Sequence, residues 1–452
     1  MGDDNAMHDV IVVGAGFAGL KAANELQQAG KDVLVLEARD RVGGRSKAGE
    51  ICGHTIDLGG QWVGPQQTLL LSQAETLGVK TYAQYTEGAS TVAMNGRVRR
   101  YRSDIPKLPV LSLLELFLIE RRWRKEMQQL PVDAPWLAKH ARKWDSQTLE
   151  SWILEHVRTA DARDFARIVA RAVLCAESHQ LSYLYFLEYL RQGQGLDTLI
   201  GTEGGAQQDK FVGGAWQIAA LMAAALRRPV LLNAPVRAVE QGDQGVSVNT
   251  PLGTFTARHL IIAVPPLLAA NITFNAPLPS RRQSLQERMP MGSVIKVHLA
   301  YEQPFWRQQG LNGNVASNDR HFNVVFDQTP ETEEHGLLVG FIDGDHATKA
   351  SDWSEDQRRQ QVIDDVVHYF GPQAAAPIAY VEQDWTKEAW SRGCYVAHMP
   401  PGVMTSVGDT IRTPCGRIHW AGTETATEWM GYLDGALQSG IRAAKEVIDA
   451  QR

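Results

Sequence analysis

The spacing of three glycines near the N-terminus constrains the fold of this 452-residue chain more than any other feature. Gly14, Gly16 and Gly19 form the pattern GxGxxG. The apolar residues 10–13 precede them and predict a buried strand, and residues 18–28 show helical periodicity. A strand that turns through such glycines into a helix is the first half of a βαβ unit.

Each glycine has its own task in such a turn. Gly14 allows the tight turn, Gly16 lets the backbone approach a pyrophosphate, and Gly19 lets the helix pack closely on the strand. Residues 33–36 predict a second buried strand, which ends at Glu37, where an acid accepts hydrogen bonds from ribose hydroxyls. We therefore predict a dinucleotide site facing the helix N-terminus. A glycine turn used only for packing is the alternative.

The residues after the second strand favour FAD over NAD. In EARDRVGGRS, residues 37–46, a second glycine pair and Arg45 follow the acid. This stretch, which includes Arg39 and Gly44, resembles the extended fingerprint of FAD-containing amine oxidases. Arg45 can serve the pyrophosphate from the other side.

A third glycine pair lies in DLGGQWVGP, residues 57–65. Gly59 and Gly60 would let the backbone approach the flavin ring, whose faces tolerate little bulk. A plain turn explains the pair equally well.

Composition and charge exclude several classes of protein. Apolar residues make up 44% of the chain and charged residues 21%, which is ordinary for a globular protein. The net charge of −6 argues against a nucleic-acid partner. The four cysteines form no CxxC pair and the histidines show no metal spacing, so we predict neither a disulfide framework nor a metal site. A reducing compartment follows, and we expect the cytoplasm.

No membrane-spanning segment is predicted, because no run of about 18 uncharged apolar residues occurs. The nearest candidate is residues 108–123, which Glu115 and Glu120 interrupt. Its apolar stripe fits a buried or half-buried helix, and a helix on a membrane surface is the alternative. We expect no stable membrane insertion.

The remaining pattern predicts an α/β fold with a discontinuous Rossmann-like domain for the dinucleotide. Residues 86–204 are rich in charged, Trp-containing helical segments and predict a helical insertion, whereas residues 205–290 return to the character of the first domain. We expect the FAD-binding domain at residues 1–85, 205–290 and 385–452. A substrate-binding domain of mixed sheet and helices would take residues 86–204 and 291–384.

The C-terminal residues 416–448, GRIHWAGTETATEWMGYLDGALQSGIRAAKEVI, identify a family. Together with GAGFAGL, EARDRVGGR, KFVGG, GSVIK and GCY followed by PPG, they resemble flavin monoamine oxidases along nearly the full length of the chain. The fold expected from this resemblance is an FAD domain plus a substrate domain. The segment before the last helix would place the N-terminus of that helix against the flavin.

The resemblance also implies roles for individual residues. Tyr395 and Tyr432 match the aromatic cage before the flavin, and Lys296 matches the lysine that holds a water near the flavin N5. From the residues alone, Lys296 is a solvated lysine on an alternating strand, and the two tyrosines are ordinary core. Cys394 matches the cysteine that bonds covalently to FAD in the mitochondrial enzymes. It would point away from Tyr395 on a strand.

Further cofactor and substrate contacts follow from the same resemblance. Gln207 matches a glutamine of the substrate pocket, and Val236 sits on a strand that offers its backbone to the adenine. The remaining cofactor contacts implied are Gly60, Gln61, Trp62, Trp385, Gly422, Thr423, Glu424, Gly431 and Leu433.

The activity implied is flavin-dependent oxidative deamination of a small-molecule amine to an imine and then an aldehyde or ketone, with O2 reduced to hydrogen peroxide. A dehydrogenase that uses a protein electron acceptor, a polyamine oxidase, an L-amino-acid oxidase and a non-catalytic flavin-binding protein are the alternatives. Arg392 stands where the mitochondrial enzymes have glycine, and no membrane tail follows Arg452. We therefore expect a soluble member of the family, as a homodimer.

Overall fold

The computed structural model describes residues 7–102, 108–332 and 334–451. Within them the chain forms nineteen strands and sixteen α-helices. The strands are β1 His8–Val13, β2 Val33–Leu36, β3 Ala48–Ile51, β4 His54–Asp57, β5 Trp62–Val63, β6 Thr81–Ala83, β7 Ala89–Met94, β8 Arg97–Tyr101, β9 Asp209–Phe211, β10 Ala238–Gly242, β11 Gly245–Thr250, β12 Gly253–Ile262, β13 Thr273–Phe274, β14 Val294–Tyr301, β15 Leu311–Ser317, β16 Val324–Asp327, β17 Gly336–Asp343, β18 Ala379–Asp384 and β19 Ile418–Trp420.

The helices are α1 Phe17–Gln28, α2 Thr68–Thr76, α3 Val110–Met127, α4 Ala141–Asp145, α5 Leu149–His156, α6 Ala160–Leu174, α7 Tyr183–Gln192, α8 Leu196–Ile200, α9 Trp216–Ala224, α10 Pro266–Ala269, α11 Ser280–Glu287, α12 Phe305–Gln308, α13 Asp345–Ser351, α14 Glu355–Phe370, α15 Met404–Val407 and α16 Leu433–Ala450. Six of the helices, α3 to α8, follow one another between β8 and β9, whereas the others are distributed among the strands.

The first sheet collects strands from three distant parts of the chain. Its order is β13-β10-β11-β12-β1-β2, with β19 also paired to β12. Strand β1 pairs in parallel with β2 and β12, which places the predicted βαβ unit at one end of the sheet, with β2 as the outermost strand. Helix α1 packs on α16, where a Cβ on Gly440 would lie only 2.3 Å from the Ala18 carbonyl oxygen. A glycine is required at this helix crossing because the two backbones approach so closely.

The second sheet has the order β18-β14-β17-β16-β15-β7-β8. Strand β14, second from one edge, pairs antiparallel with β17 and β18, and all eight of its residues are buried. The expectation of a solvated lysine on this strand is therefore wrong, because Lys296 has protein on both faces of the sheet. Helix α14 covers the sheet and buries Val362, Val366 and Phe370 against it.

A helical layer formed by α3 to α8 lies beyond the sheets. Its core holds stacked aromatic rings, such as Trp152 and Tyr183 with centroids 4.7 Å apart. The predicted helical insertion therefore exists, but residues 86–204 begin with β7 and β8, which join the second sheet. The limits of the two domains stay a prediction.

Candidate active site

A cavity of about 1800 Å³ runs from the turn after β1, past β14, to the helical layer. It brings together residues from nearly the whole length of the chain, from Val13 to Ala436. The predicted site residues that line it are Gly14, Gly16, Glu37, Arg39, Gly44, Arg45, Gly60, Gln61, Trp62, Gln207, Val236, Lys296, Trp385, Cys394, Tyr395, Gly422, Thr423, Gly431, Tyr432 and Leu433. Gly19 and Glu424 lie outside the lining.

The turn after β1 leaves its backbone open to the cavity. A Cβ on Gly16 would meet only the Gly44 Cα, at 3.9 Å, so nothing but the cavity lies in front of this residue. A Cβ on Gly19, by contrast, would lie 1.9 Å from the Gly14 carbonyl oxygen. Gly16 is therefore placed for close approach of a ligand, whereas Gly19 serves the packing of the turn.

Glu37 holds the two glycine turns together. One carboxylate oxygen accepts a hydrogen bond from the Ala15 N–H at 2.7 Å, and the other accepts from the Arg39 N–H at 3.0 Å. The carboxylate is buried and borders the cavity. Its position at the end of β2 leaves it able to accept from a ligand hydroxyl, as the sequence predicts.

Arg45 makes contacts that the sequence did not reveal. Its guanidinium donates to both Glu424 oxygens, at 2.7 and 3.1 Å, and to the Tyr395 carbonyl oxygen at 2.8 Å. Glu424 also accepts from the Ala397 N–H at 3.3 Å. This buried pair ties the segment that carries Tyr395 to the glycine-rich loop, and Arg45 still borders the cavity.

Lys296 lies at the middle of the cavity, held by two acceptors. Its Nζ donates to the Gly59 carbonyl oxygen at 2.8 Å and to the Gln61 side-chain oxygen. Burial lowers the pKa of the Lys296 ammonium to about 7, although the Asp57 carboxylate opposes the shift. A lysine in this state can hold or release a proton near neutral pH.

Asp57 is the carboxylate that faces this lysine. Its oxygens accept from the N–H groups of Ala215 and Trp216 at 2.8 and 3.2 Å. Burial raises the pKa of Asp57 to about 6, although Lys296 and the two backbone donors oppose the shift. Asp57 was not among the predicted site residues, because its partners come from a distant helix and leave no local pattern.

Tyr395 and Tyr432 border the same cavity as Lys296. Tyr395 packs edge-on against Phe341, with centroids 5.8 Å apart, and Tyr432 packs edge-on against Trp429 at 5.1 Å. Burial raises the pKa of both phenols, so they stay neutral. Each ring is thus fixed by a neighbouring aromatic ring, as the wall of a cage requires.

The expectation of a strand at Cys394 and Tyr395 is wrong. The segment is irregular, and the peptide bond between the two residues is cis. Both side chains nevertheless border the cavity, and the Cys394 thiol is buried beside Trp385. Burial raises the pKa of this thiol to about 12. Trp385 is fixed by a hydrogen bond to the Leu58 carbonyl oxygen at 2.9 Å.

Helix α16 begins at the cavity. Leu433 and Ala436 of its first turn line the wall, and no side chain caps its N-terminus. The Thr423 hydroxyl accepts from the Gly431 N–H at 2.7 Å and donates to the Tyr432 carbonyl oxygen at 3.1 Å. This arrangement presents unpaired backbone N–H groups to an electron-rich ligand.

Val236 also differs from its predicted setting. It lies just before β10 rather than on a strand, because residues 230–237 run as irregular chain beside β2. It still borders the cavity.

The far wall of the cavity comes from α3, α6, α8 and the second sheet. Its buried or half-buried apolar side chains are Leu113, Leu116, Phe165, Ile168, Val169, Ala172, Leu199, Val324, Phe326 and Phe341. Gln207 donates to the Leu199 carbonyl oxygen at 3.2 Å, and its side-chain oxygen has no partner among the described residues.

Helix α3 fits the expectation of a half-buried helix. It begins at Val110 and buries one face through Ser112, Ile119 and Trp123, whereas the apolar side chains on its opposite face are exposed.

Tyr189 and Phe341 are further cavity residues that sequence reasoning missed. The Tyr189 hydroxyl donates to the Val173 carbonyl oxygen at 3.0 Å. A Cβ on Gly431 would lie 3.1 Å from the same Tyr189 hydroxyl oxygen. Tyr189 belongs to an aromatic-rich helix that reads as core, and Phe341 to an apolar strand. Neither carries a local signal that separates a cavity wall from a core.

The described ranges hold neither a candidate metal centre nor a helix that could span a membrane. No group of three or more His, Cys, Asp or Glu side chains there could hold a metal ion. No helix in the same ranges has both the length and the apolar character needed to cross a membrane.

The sequence of this chain is similar to those of known proteins. The family model described as flavin containing amine oxidoreductase matches residues 17–448. A putative flavin-containing monoamine oxidase of Mycobacterium tuberculosis is 40% identical, covering 97% of this chain and 96% of the relative. A probable flavin-containing monoamine oxidase A of Dictyostelium discoideum is 36% identical, covering 98% of each.

Solved structures show the same fold. A putrescine oxidase bound to putrescine is 34% identical, with a TM-score of 0.94, over 98% of this chain and 99% of that one. Cyclohexylamine oxidase from Brevibacterium oxydans is 33% identical, with a TM-score of 0.95, over 99% of this chain and 100% of that one.

Proposed function

This chain belongs to the family of flavin-containing amine oxidoreductases, and we propose that its preferred substrate is a primary monoamine with an apolar carbon skeleton. The enzyme oxidises an amine to an imine, which water converts to an aldehyde or ketone, and it reduces O2 to hydrogen peroxide. FAD, when bound, supplies the acceptor for the hydride equivalent and passes the electrons to oxygen.

The observation that carries this substrate class is the far wall of the cavity. Most of its side chains beyond the tyrosines are aliphatic or aromatic, and the amide side chains of Gln207, Asn312 and Asn314 among them carry no charge. The acidic residues at this end of the described cavity, Glu120, Asp197 and Glu203, are half-buried or exposed and lie at its rim. A second ammonium on a short diamine would have to leave water for this wall without a buried carboxylate to pair with, which is unfavourable.

The two tyrosines would orient the amine. Neutral phenol rings attract a cationic or polarised nitrogen through their faces, so Tyr395 and Tyr432 can guide the amine between them. The same apolar surroundings disfavour an ammonium, and they favour the uncharged amine that must react. The Arg45–Glu424 pair supports this arrangement because it holds the Tyr395 backbone.

Lys296 would handle the proton that accompanies oxygen reduction. Its Nζ is fixed by Gly59 and Gln61 and has a pKa near neutrality, so it can hold a water and exchange a proton with it. The aromatic rings of Trp62 and Phe341, 5.5 and 5.8 Å from Nζ, exclude other water from this position.

The residues that would hold FAD fit the group. The open backbone at Gly16 suits a pyrophosphate, the buried Glu37 carboxylate suits a ribose, and the uncapped start of α16 suits an electron-rich edge of the flavin. Gly60, Trp385 and Leu433 border the cavity between these points.

A covalent bond from the Cys394 sulfur to the flavin 8-methyl carbon is part of the proposal. As the C–S bond forms, the thiol and the methyl group each lose one hydrogen, and the two electrons released pass to O2. Acid precipitation of the holoenzyme tests it: yellow pellet is expected, and yellow supernatant contradicts the bond. The Cys394→Ala variant is the control and should release all of its FAD.

A matched pair of amines tests the substrate class most directly. Pentylamine and cadaverine share one carbon chain, and cadaverine adds a second terminal amine. We expect kcat/KM for peroxide release to be at least about a hundredfold higher for pentylamine. Equal values, or a preference for cadaverine, would place a partner for a second ammonium in the cavity and contradict the proposal.

Two further statements belong to this proposal. A homodimer, tested by light scattering, is expected from the family resemblance. A cytoplasmic location, tested by cell fractionation, is expected from the cysteine content.

A further inference from the structure

Helix α3 presents a stripe of large apolar side chains to solvent. They recur at helical spacing and share one face, and each is between 53% and 80% exposed: Val110, Leu111, Leu114, Phe117 and Leu118. The opposite face is buried through Ser112, Ile119 and Trp123. Exposed apolar residues are ordinary when scattered, but a contiguous group on one helix face marks an interaction site.

Cations continue this stripe toward the C-terminus of the helix. Arg121, Arg122 and Lys125 are exposed on the turns that follow the apolar residues. Arg121 and Lys125 have no carboxylate partner among the described residues, whereas Arg122 pairs with Glu126 at 3.0 Å. We call the five apolar residues and these three cations the α3 surface.

Strand β8 adds more positive charge beside it. Arg97, Arg100 and Arg102 are exposed on or directly after this strand. An apolar cluster that includes Tyr101, Leu108, Leu113 and Leu116 packs the strand against the start of α3, so both border the same part of the molecule.

The charge of this region is opposite to that of the whole protein. The described residues 97–102 and 108–127 contain eight basic and three acidic residues, a net charge of +5, whereas the chain carries −6. A surface that combines a large apolar stripe with flanking cations fits the boundary between the headgroups and acyl chains of an anionic bilayer.

We propose that the α3 surface adsorbs to anionic lipid bilayers. The apolar side chains enter the headgroup region, and the cations contact the lipid phosphates and carboxylates. A second copy of this chain fits less well, because two surfaces of like charge would face each other. Nucleic acid also fits less well, because its phosphates give no contact for a row of aliphatic side chains.

Adsorption would bring the cavity to the bilayer surface. Phe117 belongs to the α3 surface and also lines the cavity, together with Leu113, Leu116 and Glu120 of the same helix. The mouth of the cavity therefore lies at the edge of the proposed contact. An amine dissolved in the bilayer would have a short path into it.

Vesicle sedimentation tests the proposal with the holoenzyme. Vesicles of phosphatidylcholine mixed with phosphatidylserine should bind the protein, with a partition coefficient at least about tenfold above that for phosphatidylcholine alone. High salt should remove most of this difference, because it screens the cations. No binding to the mixed vesicles overturns the proposal.

A double variant isolates the apolar stripe. Leu111→Asp with Leu118→Asp should lower the partition coefficient by about a hundredfold or more. Neither leucine lines the cavity, so oxidation of a water-soluble amine should not change. Leu252→Asp is the matched control, because Leu252 is 53% exposed, as is Leu118, on the turn between β11 and β12. An equal loss with Leu252→Asp overturns the proposal.

A charge reversal isolates the cations. Lys125→Glu should weaken binding to the mixed vesicles by about tenfold or more. Lys445 is an exposed lysine on α16, and Lys445→Glu should leave the binding nearly unchanged.

If the leucine variant instead dissociates a dimer and leaves vesicle binding intact, the α3 surface is an interface between copies and the proposal is wrong. Equal binding of wild type to duplex DNA would also overturn it.

Discussion

The two ends of the cavity are built from different parts of the polypeptide. At the glycine-rich end, backbone atoms of residues 14–16 and 43–45 face the cavity, and they lie close together in the sequence. At the far end, side chains such as Leu113, Ile168 and Val324 meet from separate helices and strands. A site made of backbone requires particular residues at fixed spacing, whereas a site made of aliphatic side chains accepts many residues. The first therefore leaves a motif and the second does not.

The largest expected effects separate two glycines of that motif. Gly19→Ala would place its Cβ 1.9 Å from the Gly14 carbonyl oxygen, so we expect a loss of more than about 4 kcal/mol of stability and little folded protein. Gly16→Val has room for the side chain only in the cavity, so the fold should persist while FAD affinity falls at least about a hundredfold. Circular dichroism and flavin absorbance per chain distinguish the two.

Gly242→Val is the control for this pair, because nothing lies within 4 Å of its Cβ position, in the first sheet away from the cavity. It should bind FAD as the wild type does. Normal FAD affinity in Gly16→Val would mean that the turn serves packing alone.

The second prediction concerns the residue midway between the two ends. Lys296→Met should slow reoxidation of the reduced flavin by O2 by about a hundredfold, because the group that exchanges the proton is gone. Reduction by the amine should change only a few-fold. Stopped-flow absorbance measures both steps, and equal slowing of the two would contradict the role proposed for Lys296.

Lys210→Met provides a matched control for this variant. Lys210 is also a buried lysine, and burial lowers its pKa to about 8, but it lies on β9 outside the cavity lining. Both half-reactions should therefore keep their rates in Lys210→Met.

The same difference between the two ends explains what the sequence could predict. The strand–turn–helix of residues 8–36, the FAD cofactor and the family follow from motifs whose residues are dictated by backbone geometry. The burial of Lys296 did not follow from its strand, because alternation on β14 does not show that both faces of the sheet are covered. The Asp57 contacts and the Arg45–Glu424 pair depend on residues far apart in the chain.

Helix α3 shows a different limit of sequence reasoning. Its periodicity correctly predicts a helix, but an apolar stripe gives no information about what covers it. Ile119 and Trp123 face the protein, while Leu111 and Leu118 face solvent, and both sets repeat at helical spacing. Local pattern fixes the secondary structure, and only tertiary packing decides which apolar face is buried.

The third prediction changes the far end of the cavity. Ile168 is buried on α6 and lines the wall, so Ile168→Glu would put a carboxylate where the proposal requires apolar carbon. We expect kcat/KM for pentylamine to fall by about 10- to 100-fold, while the value for cadaverine falls less or rises. Glutamine has nearly the size of glutamate but no charge, so Ile168→Gln should lower kcat/KM for both amines. If Ile168→Glu lowered kcat/KM for pentylamine and for cadaverine equally, this wall would not select the substrate.

The smallest expected effect is a pH dependence of stability that arises from Lys296. Its pKa is about 7 in the folded protein and about 10.4 when unfolded. Between these values the unfolded chain binds one more proton, so the free energy of unfolding should rise with pH by about 1.4 kcal/mol per unit. Below about pH 7 both states carry the proton, and the unfavourable burial of the charge is present in full.

Comparing Asp57→Asn with the double variant Asp57→Asn/Lys296→Met isolates this contribution, because Asp57 itself titrates near pH 6. The double variant should be the more stable near pH 7, and its advantage should shrink by about 1–3 kcal/mol as the pH rises to about 9. Urea unfolding of the holoenzymes measures the difference. A constant difference would mean that Lys296 stays charged in the folded protein, and that the cavity is more polar at its centre than its aromatic walls indicate.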